Sequence, residues 1–306
     1  MVGTDFPYRE WYPAGKTVIQ IDARPEHIGR RTPVDLGLVG HARPTLTALL
    51  DRLVAKADGA HLAKSRDVYT EWAVRQEQLT DPDHDKGLVG RIRERFDNPD
   101  TRIRPEALAQ AVNRHAAPDA ILTTDTGMST VWMSRFVQMT DRRELLGSFN
   151  LGSMANALPQ ALGAQALDRG RQVVAFCGDG GLSMLLGDLI TAVTYDLPVK
   201  LVVFDNGSGM VKLEQEQGGL PNFGTALPNP DFAALARVIG LHGVRVEEPD
   251  ALDDAVRDAL AHPGPVLLDV LTNPDEVSLP GKVKIGQAWG FAIAKMRETV
   301  LSQGDS

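Results

Sequence analysis

The chain has 306 residues, 43% of them hydrophobic and 24% charged, the composition of an ordinary globular protein with room for about two domains; disorder, collagen and coiled coil are excluded. Forty acidic against 32 basic side chains give a formal net charge of −8. That balance excludes a broad nucleic-acid-binding surface, and any polyanion needs a local, specific site. Cys177, the single cysteine, forms no internal disulfide, and no apolar run approaches the roughly 18 residues of a membrane span, so the chain reads as intracellular and soluble.

In chain order, β-branched and aliphatic runs predict strands at 17–21, 120–123, 172–177, 200–204 and 265–270. Apolar residues at helical spacing predict helices over 43–57, 182–195 and 231–239, with another opening at Pro105, a residue tolerated in a first turn. Alternating strand and helix favours a parallel sheet, and continuously apolar strands are what burial on both faces requires. The expected fold is α/β and doubly wound. The charged stretch at 82–103 reads as a linker between a first unit, 1–81, with part of a Rossmann-like arrangement, and a complete second domain, 104–280. The tail, 281–306, carries Trp289, Ile293, Met296 and Val300 near helical spacing; docking against the protein is its default reading and a membrane-surface helix the weaker one.

The most informative stretch is VVAFCGDGGLSMLLGDLITAVTYDLPVKLVVFDN, residues 173–206. An apolar strand ends in Gly178-Asp179-Gly180-Gly181, a helical segment opens near Leu182, and the next apolar strand ends in Asp205-Asn206. In a parallel sheet both polar clusters emerge at carboxyl ends of neighbouring strands, where open α/β sheets bind ligands. The Asp179 carboxylate and the Asn206 amide are hard oxygen donors of the kind Mg²⁺ takes together with phosphates and water. Glycines let the backbone approach an anion, and a helix start aims free N–H groups at it. A divalent metal holding a diphosphate is the inference. The alternative is a plain strand-to-helix turn, because Gly and Asp are common turn residues.

Twenty-four residues lie between Gly180 and Asp205, and in this spacing the sequence resembles the motif of thiamine diphosphate (ThDP) enzymes, a GDG followed some two dozen residues later by NN. DRRELLGSFN and LGSMANALPQALGAQA, residues 141–166, resemble the family's segment ahead of the diphosphate site. GTDFPY, VIQIDARPEHIG and DTGMSTVW resemble pyruvate oxidases of the quinone-reducing type. The resemblance implies that Asp179 and Asn206 hold Mg²⁺, with a backbone carbonyl near Ser208 as a further ligand, and that Gly180 and Gly181 cradle the diphosphate. It implies that Gly152, Ser153 and Met154 bind the aminopyrimidine, with the Met154 side chain wedged beneath the cofactor. Met210 takes the place of an aromatic residue associated with electron transfer or closure, so Met154 and Met210 are the candidate catalytic positions. Thr4, Asp5, Phe6, Pro7 and Tyr8 match an FAD-binding loop. Asp22 matches an acidic residue near the adenosine ribose, capping of the next turn being its alternative role.

The activity implied is oxidative decarboxylation of pyruvate to acetate and CO₂, with electrons passing through FAD to a quinone. An acetolactate synthase-like reaction is one alternative, and a non-catalytic module that binds ThDP or a partner chain is another. The sequence departs from the family pattern at Asp205, where Asn is usual. It also lacks any residue that matches the glutamate of the family's N-terminal pyrimidine-binding domain. The expectation is a C-terminal portion of a larger enzyme, inactive alone and completed by a homo-oligomer or a partner chain. Its expected location is the cytoplasm, with peripheral docking at the inner face of the membrane as a further implication. Seven scattered histidines lack metal-ligand spacing, and Cys177 reads as inert and buried. Lys212, Glu214 and Glu216 order a lid or begin a solvated helix.

Overall fold

The computed structural model describes residues 1–80 apart from 5, 7 and 13, residues 102–274, and Ile293. The expected linker at 82–103 therefore lies outside the described residues except for its last two positions, and the expected tail helix at 281–306 except for Ile293. Two compact units emerge, Met1–Val68 and Tyr69–Ser306.

In the first unit, strands β1 (Ile19–Asp22) and β2 (Leu36–Val39) pair in parallel, and Val2 bridges Ile21 in the same sense. Helix α1 (Ala42–Leu50) is shorter than the spacing at 43–57 predicts. Leu53 and Val54, beyond its end, stand 66% and 91% exposed. Helix α2 (Ala60–Leu79) carries the boundary between the units.

The second unit alternates strand and helix as expected. Its helices among the described residues are α3 (Pro105–His115), α4 (Met128–Phe136), α5 (Ala157–Leu167), α6 (Asp179–Met184), α7 (Leu189–Thr194), α8 (Val211–Gln217), α9 (Phe232–Ile239) and α10 (Leu252–Ala261). Its strands are β3 (Ile121–Thr124), β4 (Glu144–Gly147), β5 (Val173–Gly178), β6 (Lys200–Asp205), β7 (His242–Val246) and β8 (Val266–Leu271). They form one fully parallel sheet in the order β4-β3-β5-β6-β8-β7.

Successive residues of each central strand feed opposite cores. Val174 and Phe176 of β5 and Val202 and Phe204 of β6 pack with Leu108, Trp132 and Val256 from α3, α4 and α10. Val173, Ala175, Cys177, Leu201 and Val203 pack on the other face with Leu158, Leu182, Leu189 and Phe232 from α5, α6, α7 and α9. Both faces are covered, so the strand text is apolar throughout. Burial at 1% exposure also pushes the Cys177 thiol well above its ordinary pKa, which keeps it protonated and inert.

Three elements differ from the sequence reading. Strands β4 and β7 stand at the two edges of the sheet, and their residues are mostly half-exposed, so neither shows a continuous apolar run. The helix expected over 182–195 is broken: Leu185 leaves the helical region (φ −129, ψ 32), and a 3₁₀ turn, Leu186–Asp188, separates α6 from α7. Finally, α6 starts at Asp179 rather than near Leu182, which places Gly180 and Gly181 inside its first turn.

The order of the strands locates a crevice. The chain runs from β3 outward to β4, then crosses to the other flank of β3 to build β5. The carboxyl ends of β3 and β5 are thus the point where the winding reverses, the place where such sheets take ligands.

Candidate cofactor-binding site

Strand β5 delivers Asp179 to this crevice, where it is 5% exposed. Its Oδ1 accepts from its neighbour Gly180 N at 2.7 Å, and its Oδ2 accepts from Gly207 N at 2.9 Å and from Asn229 Nδ2 at 2.8 Å. The sequence pattern expects Asp179 to meet Asn206; the described contact is instead with the backbone N–H of the next residue, Gly207, where the chain leaves the adjacent strand β6. Gly207 sits at φ +63, in the left-handed region open to glycine. Beyond it the loop is zippered to a later segment: Leu227 N donates to Gly207 O at 2.8 Å, Gly209 N donates to Thr225 O at 2.9 Å, and Ser208 lies opposite Ala226 in an antiparallel bridge. Asn206 Oδ1 accepts from Ser208 N at 2.9 Å, which fixes its side chain against its own loop.

The electrostatics follow from burial. Desolvation pushes the Asp179 carboxyl above its ordinary pKa, the hydrogen bonds from Asn229 and Gly180 oppose this, and nearby Asp205 reinforces it. Every described partner of Asp179 is a neutral donor, so no cationic side chain among the described residues is paired with it. Asp205 shares the same amide, accepting from Asn229 Nδ2 on Oδ1 at 2.7 Å. Its Oδ2 lies 4.0 Å from an Arg245 nitrogen that sits 2.7 Å from Asp269 Oδ2. Asp269 is fully buried, and burial raises its pKa to about 7, with Asp205 adding to the rise and Arg245 opposing it.

A carboxylate that the sequence reading did not assign anchors the other side. Asp125 follows β3 and is 2% exposed; its Oδ1 accepts from Ala157 N at 2.8 Å and its Oδ2 from Gly178 N at 3.2 Å. It therefore ties the start of α5 to the end of β5. A Cβ on Gly181 would overlap Asp125 Oδ2 and come within 2.9 Å of its Cγ, so the carboxylate occupies the space that the missing side chain leaves. A strand leading into aspartate, ILTTD, is its mark in the sequence, though two threonines interrupt the apolar text. Asn229 also went unassigned; its sequence mark is a position between Pro228 and Pro230.

Of the other expected positions, Gly152 adopts φ +72 and donates to Ser148 O at 2.7 Å, while Ser153 N donates to Ser148 Oγ at 3.1 Å. The same loop brings Met154, 49% exposed, near the first turn of α6: a Cβ on Gly180 would lie 3.8 Å from Met154 Cε and 3.3 Å from Leu227 Cδ1. Met210 precedes α8, is 42% exposed, and makes no described contact with Asp179. In α8, Leu213 and Glu216 are buried, so it is a packed helix.

In the first unit Asp5 and Pro7 lie outside the described residues. Thr4 is exposed, and Phe6 packs edge-on against Tyr8 with ring centroids 5.3 Å apart. Asp22, 7% exposed, accepts from Arg24 N at 3.0 Å and faces His27 Nδ1 at 3.6 Å, so its observed work is to close the following turn.

The donor set of the second unit fits a hard divalent cation. No cluster of three or more His, Cys, Asp and Glu suited to a metal occurs among the described residues. A cation at Asp179 would instead combine one carboxylate with amide, backbone and ligand oxygens, the pattern Mg²⁺ adopts with phosphates. The position above Gly180 is bordered by the side-chain ends of Leu227 and Met154.

Comparison with known proteins agrees with this geometry. Residues 125–270 match the thiamine pyrophosphate enzyme family, in its C-terminal TPP binding domain. YdaP of Bacillus subtilis, a protein named for thiamine pyrophosphate, is 35% identical over 293 residues, covering 95% of this chain and 48% of its own. The acetolactate synthase large subunit of Corynebacterium glutamicum is 30% identical, covering 84% of this chain and 40% of its own. Pyruvate oxidase of Lactiplantibacillus plantarum is 29% identical, covering 95% and 47%. The chain thus spans about half the length of the curated relatives it matches. The matched segment begins at Asp125 and takes in Asp179 and Asn206, so the crevice just described lies within it, and residues 125–270 belong to the C-terminal TPP binding domain of thiamine pyrophosphate enzymes.

Proposed function

We propose that the chain holds the diphosphate of ThDP through Mg²⁺ and serves an enzyme that decarboxylates a 2-oxo acid, with pyruvate the expected substrate. The observation that carries this reading is the buried Asp179 carboxylate at the reversal point of the sheet, whose hydrogen-bond partners among the described residues are all neutral donors. Asp179 and Asn206 would hold the cation, with Ser208 offering its carbonyl oxygen. Gly180 and Gly181 would face the diphosphate, and Gly152, Ser153 and Met154 the pyrimidine. When bound, ThDP supplies a thiazolium able to take up the electron pair released as a 2-oxo acid loses CO₂. The protein's part is to orient the cofactor and exclude water. Met154 and Leu151, 49% and 87% exposed, offer apolar surface for a second wall, from another copy of the chain or from a partner chain.

Replacing Asp179 with alanine tests the reading directly. Outer partners of metal ligands are typically worth about 10–100-fold in metal affinity, so loss of the ligand itself should lower Mg²⁺-dependent ThDP affinity at least about 100-fold in a calorimetric titration. Unchanged affinity overturns the reading.

For the reaction, oxidation of pyruvate to acetate is favoured by the text GTDFPY and FNLGSMANALPQALGAQ. Similarity to acetolactate synthases at comparable identity supports condensation of two 2-oxo acids as the second reading. Acetate as product supports the first, and acetolactate as the sole product overturns it. The described residues fit FAD less well than they fit ThDP, because Asp22 is already engaged in its own turn. A flavin, with a quinone as electron acceptor, rests on the resemblance to pyruvate oxidase.

A further inference from the structure

We infer that Asn229 is a positioning residue of the metal site, whose single amide nitrogen orients Asp179 toward the cation and holds Asp205 away from it. This rests on the Mg²⁺–ThDP reading and adds to it a residue 50 positions from Asp179 in the chain.

The argument begins with hydrogens. An amide –NH₂ has two, and an ionised carboxylate has none to give. Asn229 Nδ2 donates to Asp179 Oδ2 at 2.8 Å and to Asp205 Oδ1 at 2.7 Å, so both hydrogens are used, one on each carboxylate. Aspartate at this position would bring a third carboxylate and no donor, and serine would offer a single hydrogen.

The backbone that carries Asn229 is itself constrained. It lies between Pro228 and Pro230, each of which fixes φ. Asn229 N donates to Leu227 O at 3.0 Å, and Leu227 N is bonded to Gly207 O at 2.8 Å. The loop that follows β6 and the segment that ends at Asn229 therefore move together, and the amide is held where both carboxylates can reach it.

Asp205 explains why such a residue is needed. A second carboxylate beside a cation site raises the negative charge available to the ion, and Ca²⁺ accepts more carboxylate oxygens and looser geometry than Mg²⁺. In this fold Asp205 is bonded to Asn229 through Oδ1, and its Oδ2 faces Arg245 at 4.0 Å, where Arg245 also serves Asp269. Asp205 is thereby directed into a network beneath the site, and Asp179 remains the one carboxylate at the cation.

Calorimetric titration of Mg²⁺ and of Ca²⁺ in the presence of saturating ThDP tests this, with thermal unfolding recorded alongside. Asn229→Ala should lower Mg²⁺ affinity by about 10–100-fold and lower the ratio of Mg²⁺ to Ca²⁺ affinity, since the released Asp205 becomes available to the larger ion. Adding Asp205→Asn in the same chain should recover most of the Mg²⁺ affinity and the ratio. Asn229→Ser, which keeps one donor, should fall between wild type and Asn229→Ala, and it serves if the alanine variant fails to fold. An unaltered Mg²⁺ affinity overturns the inference, as does a loss that leaves the ratio unmoved and is not rescued by Asp205→Asn. If the wild-type chain takes up no Mg²⁺ with ThDP, the functional reading itself falls and this inference falls with it.

Discussion

The contact between Gly181 and Asp125 shows how closely the site is packed at the level of single atoms. Two hydrogen bonds from Ala157 N and Gly178 N hold the Asp125 carboxylate, so it has little room to retreat from a methyl group added at Gly181. Ala155 N, 3.3 Å from the same position, closes another direction. Gly181→Ala is therefore expected to cost about 1–3 kcal/mol through overpacking, seen as a lower denaturant midpoint, and a midpoint equal to wild type would show that the turn yields freely. The sequence singles out Asp179 and Asn206 because each sits where an apolar strand gives way to a polar turn, a local signal. Asp125 also follows a strand, but that strand closes on two threonines, and Asp125 is not flanked by glycines on both sides as Asp179 is. Asn229 is a different case: it meets Asp179 only because the loop after β6 is zippered to 225–227, and nothing in the local sequence encodes that pairing.

Among the elements, what was legible follows from position in the sheet. The central strands β3, β5, β6 and β8 are buried on both faces, with Thr123, Thr124 and Asp269 among the buried polar exceptions, and their largely apolar text gives them away. Edge strands β4 and β7 lack it. β7 pairs with β8 and packs closely on α9: a Cβ on Gly243 would overlap the Ala233 carbonyl oxygen and lie 3.1 Å from Arg237 Cγ. Helix α9 is well fixed on its side, with Asp231 accepting from Ala234 N at 2.7 Å at its start and Gly240 in the left-handed region (φ +110) at its end. Neither partner can move cheaply, so Gly243→Ala should separate β7 from α9 and destabilise the protein by about 1–3 kcal/mol. Denaturant unfolding measures this, and a variant as stable as wild type would mean that the edge strand adjusts at no cost. The division of the helix expected at 182–195 has the same kind of origin, since Leu185 abandons helical geometry after only six residues of α6, a break that apolar periodicity does not report.

Taken as a whole, the second unit is polarised along its strands. Carboxylates Asp125, Asp179 and Asp205 gather at the carboxyl end of the sheet, and Lys200 opens β6 at the amino end, only 5% exposed. Lys200 donates to Gly264 O at 2.6 Å and to His262 O, and His262 stacks on His242 with ring centroids 4.4 Å apart. Those carbonyl partners are neutral, and burial lowers the Lys200 pKa from 10.5 to about 8. An unfolded chain would bind the Lys200 proton up to the ordinary lysine range, whereas the folded chain releases it near pH 8. Between about pH 8 and 10.5 the unfolded state thus holds more protons at this residue, and its contribution to stability rises with pH. Below pH 8 the full cost of the buried charge is present. Lys200→Met removes that titration while keeping an unbranched side chain, so wild type should gain stability relative to the variant as pH rises through this window. Chemical denaturation of both proteins at neutral pH and at pH 10 checks it: a constant difference between them would mean that Lys200 keeps its proton in the fold as readily as in the unfolded chain.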